Sequence, residues 1–434
     1  MLDRTIAPPT VLTDSITIPR ADLTNLPNGV KLLVINEGEE DVCRVDMVFN
    51  AGSRYQKKNL QARAALTLLT EGTENHTSKQ ISEYFDFYGA FLNISVDKDF
   101  ARITLSSLGK HLGNTLEMLS EVIKQPIYPE RELQQWCKRG RQELMVELEK
   151  TSTLANQAFF RNVFGEQHPY GVFATPDDYN NVQQQILKDF HTSFIGSNNL
   201  TIILSGKVGA PEIDLLIKHF GSSKWGANSI EVLNEIAKSK PDLSKAFVEK
   251  PNAVQTAIRI GRELFHRSHP DYPGMLVLNT ILGGYFGSRL MRNIREEKGY
   301  TYGINSFIAP FRDSGLFMIS TEVGAAYTEQ TLKEIYYEIN RLITEPVSHD
   351  ELLLVKSYLM GEILRNFNGA FAIADSIISL LYYNELKYSY YDNLFKTIKT
   401  ITPKKIVEIA NKWFQSNVLV ECIAGSVKPQ ESEY

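Results

Sequence analysis

Alternating apolar and polar residues mark several short strands along this chain. Segments 44–49 and 101–105 alternate in this way, whereas 316–319 is a short run of apolar residues that also indicates a strand. In the first of them Val45, Met47 and Phe49 are apolar, whereas Arg44 and Asp46 between them are charged. Because successive side chains of a strand point to opposite faces, this period of two indicates strands with one face in a core.

Two other segments have apolar residues at helical spacing and then a proline. Apolar residues three or four positions apart share one face of a helix, and a proline cannot continue the helix. Each segment is therefore predicted to form an amphipathic helix with a defined end. The residues are Leu112, Leu116, Leu119 and Ile123 before Pro126, and Leu332, Ile335, Ile339 and Leu342 before Pro346.

The same kinds of segment recur at a fixed offset of 219 residues, which indicates an internal repeat. The matching residues are Glu132 with Glu351, Ser197 with Ser416, Asn198 with Asn417, and Gly206 with Gly425. We predict an α+β fold of two homologous domains, each a largely antiparallel sheet with helices covering one face. The domains are predicted at residues 1–225 and 246–434, with a polar linker at 226–245.

Composition narrows the classes of function. The chain has 434 residues and a formal net charge of −5, without a basic patch for nucleic acid or an anionic membrane. No segment is long and apolar enough to span a bilayer, and residues 1–9 lack the apolar run of a secretory signal, so a cytoplasmic protein is expected. The three cysteines, Cys43, Cys137 and Cys422, are predicted to be buried free thiols.

The segment from Gln61 to Thr73, together with 49–55 before it, carries the most informative motif. It resembles the region of peptidase family M16, which includes pitrilysin and mitochondrial processing peptidase, that holds the inverted zinc motif His-x-x-Glu-His. The resemblance places Arg63, Leu66 and Thr67 at those three positions. It also places Glu143 where the family has its third zinc ligand, although an ordinary exposed glutamate on a helix is the alternative.

These substitutions remove the chemistry of a zinc peptidase. Zinc needs several histidine or carboxylate ligands, and its bound water needs a neighbouring base. Arg63 is a permanent cation, Leu66 is a hydrocarbon, and Thr67 is a neutral hydroxyl. We therefore expect no metal and no peptidase activity in the isolated chain.

The second half contains a positive match. The segment from Leu282 to Gly303 resembles the second-domain signature of M16 proteins, in which an arginine and a tyrosine seven positions later reach toward the zinc-bound substrate. The resemblance assigns these roles to Arg295 and Tyr302. In the alternative interpretation Arg295 is one charge on a solvated helix and Tyr302 packs within a strand.

The resemblance also implies a peptide-binding strand at 89–95, with Ala90 and Asn93 in the family pattern. Such a strand would hold peptides by main-chain hydrogen bonds, whereas an interior strand of the sheet would not be available. A cluster of tyrosines at 382–391 is open to two interpretations, a cavity or subunit surface and simple helix packing.

These observations favour a non-catalytic subunit of a two-chain M16B-type zinc metallopeptidase. A partner chain with His-x-x-Glu-His would supply the zinc, and this chain would supply Arg295, Tyr302 and half of a peptide chamber. A homodimer stays possible. The alternatives are a peptide-binding or scaffold pseudopeptidase without a catalytic partner, and, with less support, a peptidase that uses another set of metal ligands.

Overall fold

A computed structural model describes residues 17–226 and 241–429, apart from the side chain of Asn384. The amino-terminal residues 1–9 and most of the predicted linker lie outside the described residues. The boundaries of the two domains therefore stay a prediction. All helices within the described ranges are too short or too polar to cross a lipid bilayer.

The first half contains a six-stranded sheet in the order β1-β2-β6-β3-β5-β4. Only β2 and β6 are parallel neighbours, so the sheet is largely antiparallel, as predicted. Its elements are β1 (Asp22–Asn25), β2 (Lys31–Asn36), β3 (Val42–Phe49), α1 (Gln61–Thr67), α2 (Ser78–Phe87), β4 (Phe91–Val96), β5 (Ala101–Leu108), α3 (Leu112–Lys124), α4 (Glu130–Glu147), α5 (Thr151–Phe164), α6 (Gln184–Phe194), β6 (Leu200–Gly206) and α7 (Ala210–Leu216).

The second half contains a five-stranded sheet in the order β7-β11-β8-β10-β9, in which only β7 and β11 are parallel. This order repeats that of β2 to β6 in the first sheet. Its elements are β7 (Ala246–Glu249), β8 (Gln255–Leu264), α8 (Tyr272–Asn279), β9 (Thr301–Pro310), β10 (Gly315–Gly324), α9 (Thr328–Thr344), α10 (His349–Arg365), α11 (Ala370–Asn384), α12 (Ser389–Thr400), α13 (Pro403–Trp413) and β11 (Val420–Gly425).

The repeat is visible in the helices as well as in the sheets. Helix α11 begins at Ala370 and α5 begins at Thr151, an offset of 370 − 151 = 219 residues. Helices α4 and α10 begin at Glu130 and His349, which gives the same offset of 349 − 130 = 219. The prediction of two homologous α+β halves is confirmed.

The two halves exchange one helix each. Helix α11 of the second half buries Ile373, Ala374 and Ile377 among residues of the first sheet, including Leu33 and Ile203. Helix α5 of the first half packs in the same way against β8 and β11 of the second sheet. Each half therefore completes the hydrophobic core of the other.

This exchange differs from the prediction that helices cover one face of each sheet. Strand β2 buries Leu32 and Val34 on the face covered by helices of its own half, and Leu33 and Ile35 on the face covered by α11. A strand buried on both faces reads as a continuous apolar run, which is the pattern of β2 and β6. The run predicts two covered faces, but it cannot identify which helix covers the second.

Shortening a side chain of α11 at this contact should destabilise the whole chain. Ile377 is fully buried against the first sheet. We expect Ile377→Ala to lower the free energy of unfolding by about 2 to 5 kcal/mol, because the substitution leaves a cavity. The exposed Leu354 of α10 offers a control, since Leu354→Ala should change it by less than about 0.5 kcal/mol. Equal urea midpoints for the two variants would contradict a tight α11 contact.

A buried ion-pair network also joins the halves. Arg54 Nη1 lies 2.9 Å from Asp99 Oδ1, and Arg54 Nη2 lies 2.6 Å from Asp313 Oδ2 in the turn between β9 and β10. Asp99 also accepts hydrogen bonds from the Tyr170 hydroxyl (2.7 Å) and from the backbone N–H of Arg312 (3.0 Å). Asp99 thus links two parts of the first half to the β9–β10 turn of the second.

Candidate functional site

Helix α1 carries the three positions of the zinc motif. The helix is short and rich in alanine, and it packs against β4 and α6. Leu66 is 0% exposed and belongs to the core of the first half, while Arg63 is exposed to solvent. The Thr67 hydroxyl donates a hydrogen bond to the carbonyl of Arg63 (2.7 Å), so its polar atom is engaged by its own helix.

Glu143 lies on α4, as the sequence predicts, and its carboxylate is largely exposed. It lies 4.0 Å from the Arg139 guanidinium one helical turn away. Both Arg63 and Glu143 act electrostatically on the Tyr179 hydroxyl, whose pKa is raised chiefly by burial, lowered by Arg63 and raised by Glu143. Arg63 of α1 and Glu143 of α4 therefore both lie within electrostatic range of Tyr179.

The residues at this site do not fit a zinc ion. The positions of the family motif hold a guanidinium, a buried hydrocarbon and a hydroxyl bonded within its own helix, and Glu143 adds a single exposed carboxylate. Across the described ranges 17–226 and 241–429, no three His, Cys, Asp or Glu side chains come together as a metal site. We therefore derive no metal-dependent step for this chain.

Returning the glutamate to position 66 should destabilise the protein. The Leu66 side chain is sealed in the core, so a carboxylate there would lose its water and gain no paired cation. We expect Leu66→Glu to lower the free energy of unfolding by about 3 kcal/mol or more. Leu66→Met conserves volume and should cost less than about 1.5 kcal/mol. Chemical denaturation of both variants compares them, and equal stabilities would show that position 66 is open to solvent.

Arg295 and Tyr302 lie on neighbouring elements of the second half, where Arg295 is half-buried and Tyr302 is exposed. Arg295 belongs to a π-helical segment, Met291–Glu297, which packs against β9, and Tyr302 lies near the start of β9. Tyr302 is 92% exposed, so the alternative of a packed strand residue is wrong. The Arg295 guanidinium lies 4.7 Å from the ring centre of the exposed Phe286. This cation–π contact orients Arg295.

Phe286 is a residue that the sequence interpretation missed. It lies inside the same 282–303 segment, but an exposed aromatic ring has no periodicity that would identify it. Among the described residues, no hydrogen bond, ion pair or ring contact joins Arg295 or Tyr302 to the α1 positions. Within one chain, these two groups are therefore separate features.

The predicted peptide-binding strand is β4, and it is the edge strand of its sheet. Among the described residues it pairs with β5 alone, and Phe91, Asn93 and Ser95 alternate outward. The interior-strand alternative is therefore wrong. Ala90 is buried just before the strand, where its N–H donates to the carbonyl of Phe85 (2.9 Å), and the side chain of Asn93 is exposed.

The tyrosines at 382–391 divide between two places: Tyr382 and Tyr383 pack against the first sheet, whereas Tyr390 and Tyr391 belong to the core of the second half and line a cavity there. Tyr382 stacks on Phe100 with ring centres 3.8 Å apart. The Tyr391 hydroxyl donates to the carbonyl of Ser376 (3.2 Å), and Tyr390 is buried. Burial also raises the thiol pKa of Cys43 and of Cys422 to about 12, so neither is a nucleophile.

Comparison with known proteins identifies the family. The model named Insulinase (Peptidase family M16) matches residues 31–167, and the model named Peptidase M16 inactive domain matches residues 181–359. An uncharacterized zinc protease of Rickettsia felis is 25% identical over 402 residues, which are 91% of this chain and 95% of that protein. The mitochondrial-processing peptidase subunit beta of Bos taurus is 22% identical over 378 residues, 83% of this chain and 76% of that protein.

The fold is also found in solved structures. The crystal structure of a peptidase M16 inactive domain from Pseudomonas fluorescens matches with a TM-score of 0.85 and 24% identity. The match covers 95% of this chain and 100% of that one. Two models of one family thus match successive parts of the chain, and the fold agrees across its length. The chain belongs to peptidase family M16, and it lacks the zinc motif His-x-x-Glu-His.

Proposed function

We propose that this chain is the non-catalytic subunit of a two-chain M16B-type zinc metallopeptidase. The observation that carries the proposal is the contrast between two sites. The position of the catalytic base is a buried core residue, Leu66, whereas Tyr302 of the second-domain signature is exposed and Arg295 is half-buried beside the exposed Phe286. The exposed Tyr302 hydroxyl, with Arg295 on the neighbouring element, is available to a partner.

In this proposal Arg295 and Tyr302 act on a peptide held in the partner's zinc site. The guanidinium and the phenol are hydrogen-bond donors. They would donate to the oxygen of the scissile carbonyl as negative charge develops on it, an interaction that strengthens in the transition state. The partner, which carries His-x-x-Glu-His, would supply the metal and the base.

Strand β4 would contribute to the peptide chamber. Its outer edge faces away from β5, so its backbone N–H and C=O groups can pair with an extended peptide. Ala90 and Asn93 would flank that peptide. Two exposed phenylalanines, Phe87 and Phe91, lie at the start of this edge and add apolar surface for a peptide or for the partner.

The relatives support a heteromeric assembly. The Bos taurus relative is named as one subunit of a processing peptidase, and a Dictyostelium discoideum relative is named as its subunit alpha-1. A division of the peptidase between two chains would explain why this one has lost the zinc motif. A pair of identical chains would lack the motif in both copies, which favours a partner of different sequence.

Purification of this chain alone and with a zinc-bearing M16 chain tests the proposal. We expect the isolated chain to contain much less than one zinc per molecule by elemental analysis and to cleave no peptide. The pair should co-elute, contain one zinc per heterodimer and cleave peptides that neither chain cleaves alone. One tightly held zinc in the isolated chain, or full activity of the partner without it, would contradict the proposal.

The exposed edge of β4 also favours a second candidate, a peptide-binding or scaffold pseudopeptidase with no catalytic partner. In that case the isolated chain would bind extended peptides, and added zinc-bearing M16 chains would neither co-elute nor gain activity. Fluorescence anisotropy with labelled peptides, measured beside the co-elution experiment, separates the two functions.

A further inference from the structure

A cavity of about 530 Å³ lies in the second half between α8, α10, α11 and α12. Leu276, Leu394 and Ile398 form part of its apolar wall. This size is within the range of about 300 to 1,000 Å³ that is usual for pockets that bind small molecules. None of the described residues that line the cavity belongs to β4, and Tyr302 is not among them.

The wall of this cavity contains a buried arginine without a counter-ion. Arg267 is 9% exposed, and in the described residues no carboxylate lies within 4.0 Å of it. Its Nη1 donates to the hydroxyl and, at 3.3 Å, to the carbonyl of Ser379, and its guanidinium lies 4.0 Å from the ring centre of Tyr390. Its Nε has no hydrogen-bond partner among the residues that the structure describes. Buried arginines are rare unless they are paired with an anion.

The other charged groups of the cavity wall are already paired. Asp375 lies 3.0 Å from the Arg44 guanidinium and 2.7 Å from that of Arg102. Glu362 and Arg365 pair with one another at 2.6 Å. The carboxylates are thus neutralised by other cations, and the positive charge of Arg267 is left for a ligand.

The remaining polar groups nearby are suitable for an anion. The phenols of Tyr272 and Tyr390 line the same cavity, and both are buried. Burial raises the pKa of each phenol, so at neutral pH they are protonated hydrogen-bond donors. Apart from Asp375, Glu362 and Arg365, which are paired, the polar wall therefore offers a cation and neutral donors beside apolar side chains.

We propose that this cavity binds a small anionic amphiphile, whose carboxylate or phosphate group pairs with Arg267 while its apolar body lies against Leu276, Leu394 and Ile398. The ligand would also contact Ser376 and Ser379 of α11, the helix that packs on the first sheet. Binding would therefore stabilise the junction between the halves by mass action. This proposal is independent of the peptidase subunit function.

Isothermal titration calorimetry of the full chain with three probes tests the charge and the apolar body separately. The probes are decanoate, decanol of the same chain length, and acetate, all below the concentration at which they aggregate. We expect saturable binding of decanoate about tenfold tighter than that of decanol, because a buried guanidinium gains a charge-assisted hydrogen bond. Acetate should bind more weakly than decanoate. Decyl phosphate in place of decanoate then distinguishes the two head groups.

Two variants locate the site. Arg267→Gln should reduce decanoate affinity about tenfold and leave decanol affinity unchanged, since it removes the charge alone. Ala372→Leu adds a side chain to the α11 wall of the cavity and should weaken both probes. Circular dichroism establishes that each variant is folded, and if Arg267→Gln is not, Ala372→Leu and the wild-type comparison of probes still decide the matter. Equal affinity for decanoate and decanol, absence of saturable binding, or unchanged binding in Ala372→Leu would overturn the proposal.

Discussion

Tyr302→Phe and Arg295→Ala, each made in this chain while the zinc-bearing partner is unchanged, should lower the kcat of the assembled peptidase about a hundredfold or more. Each variant removes one donor to the developing oxyanion. KM should change much less, because the interaction is stronger in the transition state than with the bound substrate. Steady-state kinetics with a fluorogenic peptide measures both constants.

Matched controls exist on the same surface. Arg292 is an exposed arginine of the same Met291–Glu297 segment, and Tyr337 is an exposed tyrosine of α9. Arg292→Ala and Tyr337→Phe should retain kcat near the unsubstituted value. Co-elution with the partner checks that all four variants assemble. Full activity of both Arg295→Ala and Tyr302→Phe would remove their proposed role.

Asp99→Ala should lower the free energy of unfolding by about 3 to 5 kcal/mol, which is more than we expect of a surface substitution. The side chains of Arg54 and Asp99 are 7% and 3% exposed. Removal of Asp99 leaves the buried Arg54 cation with only the largely exposed Asp313, and it strands the Tyr170 hydroxyl and the Arg312 N–H. Urea denaturation followed by fluorescence measures the change.

The other carboxylate of the same network provides the control. Asp313 contacts the same guanidinium, but its side chain is 61% exposed, so water can replace it. Asp313→Asn should therefore cost about 1 kcal/mol or less. Equal losses of stability in the two variants would show that the contribution of each carboxylate does not depend on how deeply it is buried.

Local features of this fold could be predicted from the sequence, because the spacing of apolar residues and the prolines that end helices act over a few residues. The alternating residues 44–49 lie in β3, and the helix predicted before Pro346 is α9. The position of a strand within its sheet is not local. The alternation in β4 would be the same if the strand lay inside the sheet. Its position at the edge is known only from the strand order of the described residues.

The loss of the zinc ligands and the catalytic base could be predicted from residue type. Contacts between side chains that are distant in the sequence could not. Arg63 and Leu66 excluded a zinc ligand and a base by residue type alone. Arg54 is buried beside Asp99, 45 residues away, and also contacts Asp313, 259 residues away, so no local pattern in the sequence indicates its burial. The contact of Arg295 with Phe286 depends on the turn that precedes the π-helical segment, which no periodicity indicates.

The exchange of α5 and α11 has a consequence for biosynthesis. Helix α5 ends at Phe164, but the surface of the second sheet that it contacts includes β11, which ends at Gly425. When the ribosome has completed α5, strand β11 has not yet been synthesised. A further 425 − 164 = 261 residues must be added before β11 is complete, at a translation rate of about 5 to 20 residues per second. The apolar face of α5 therefore lacks part of its packing surface until the last strand has been synthesised, and exposed surface of this kind favours aggregation or binding by chaperones.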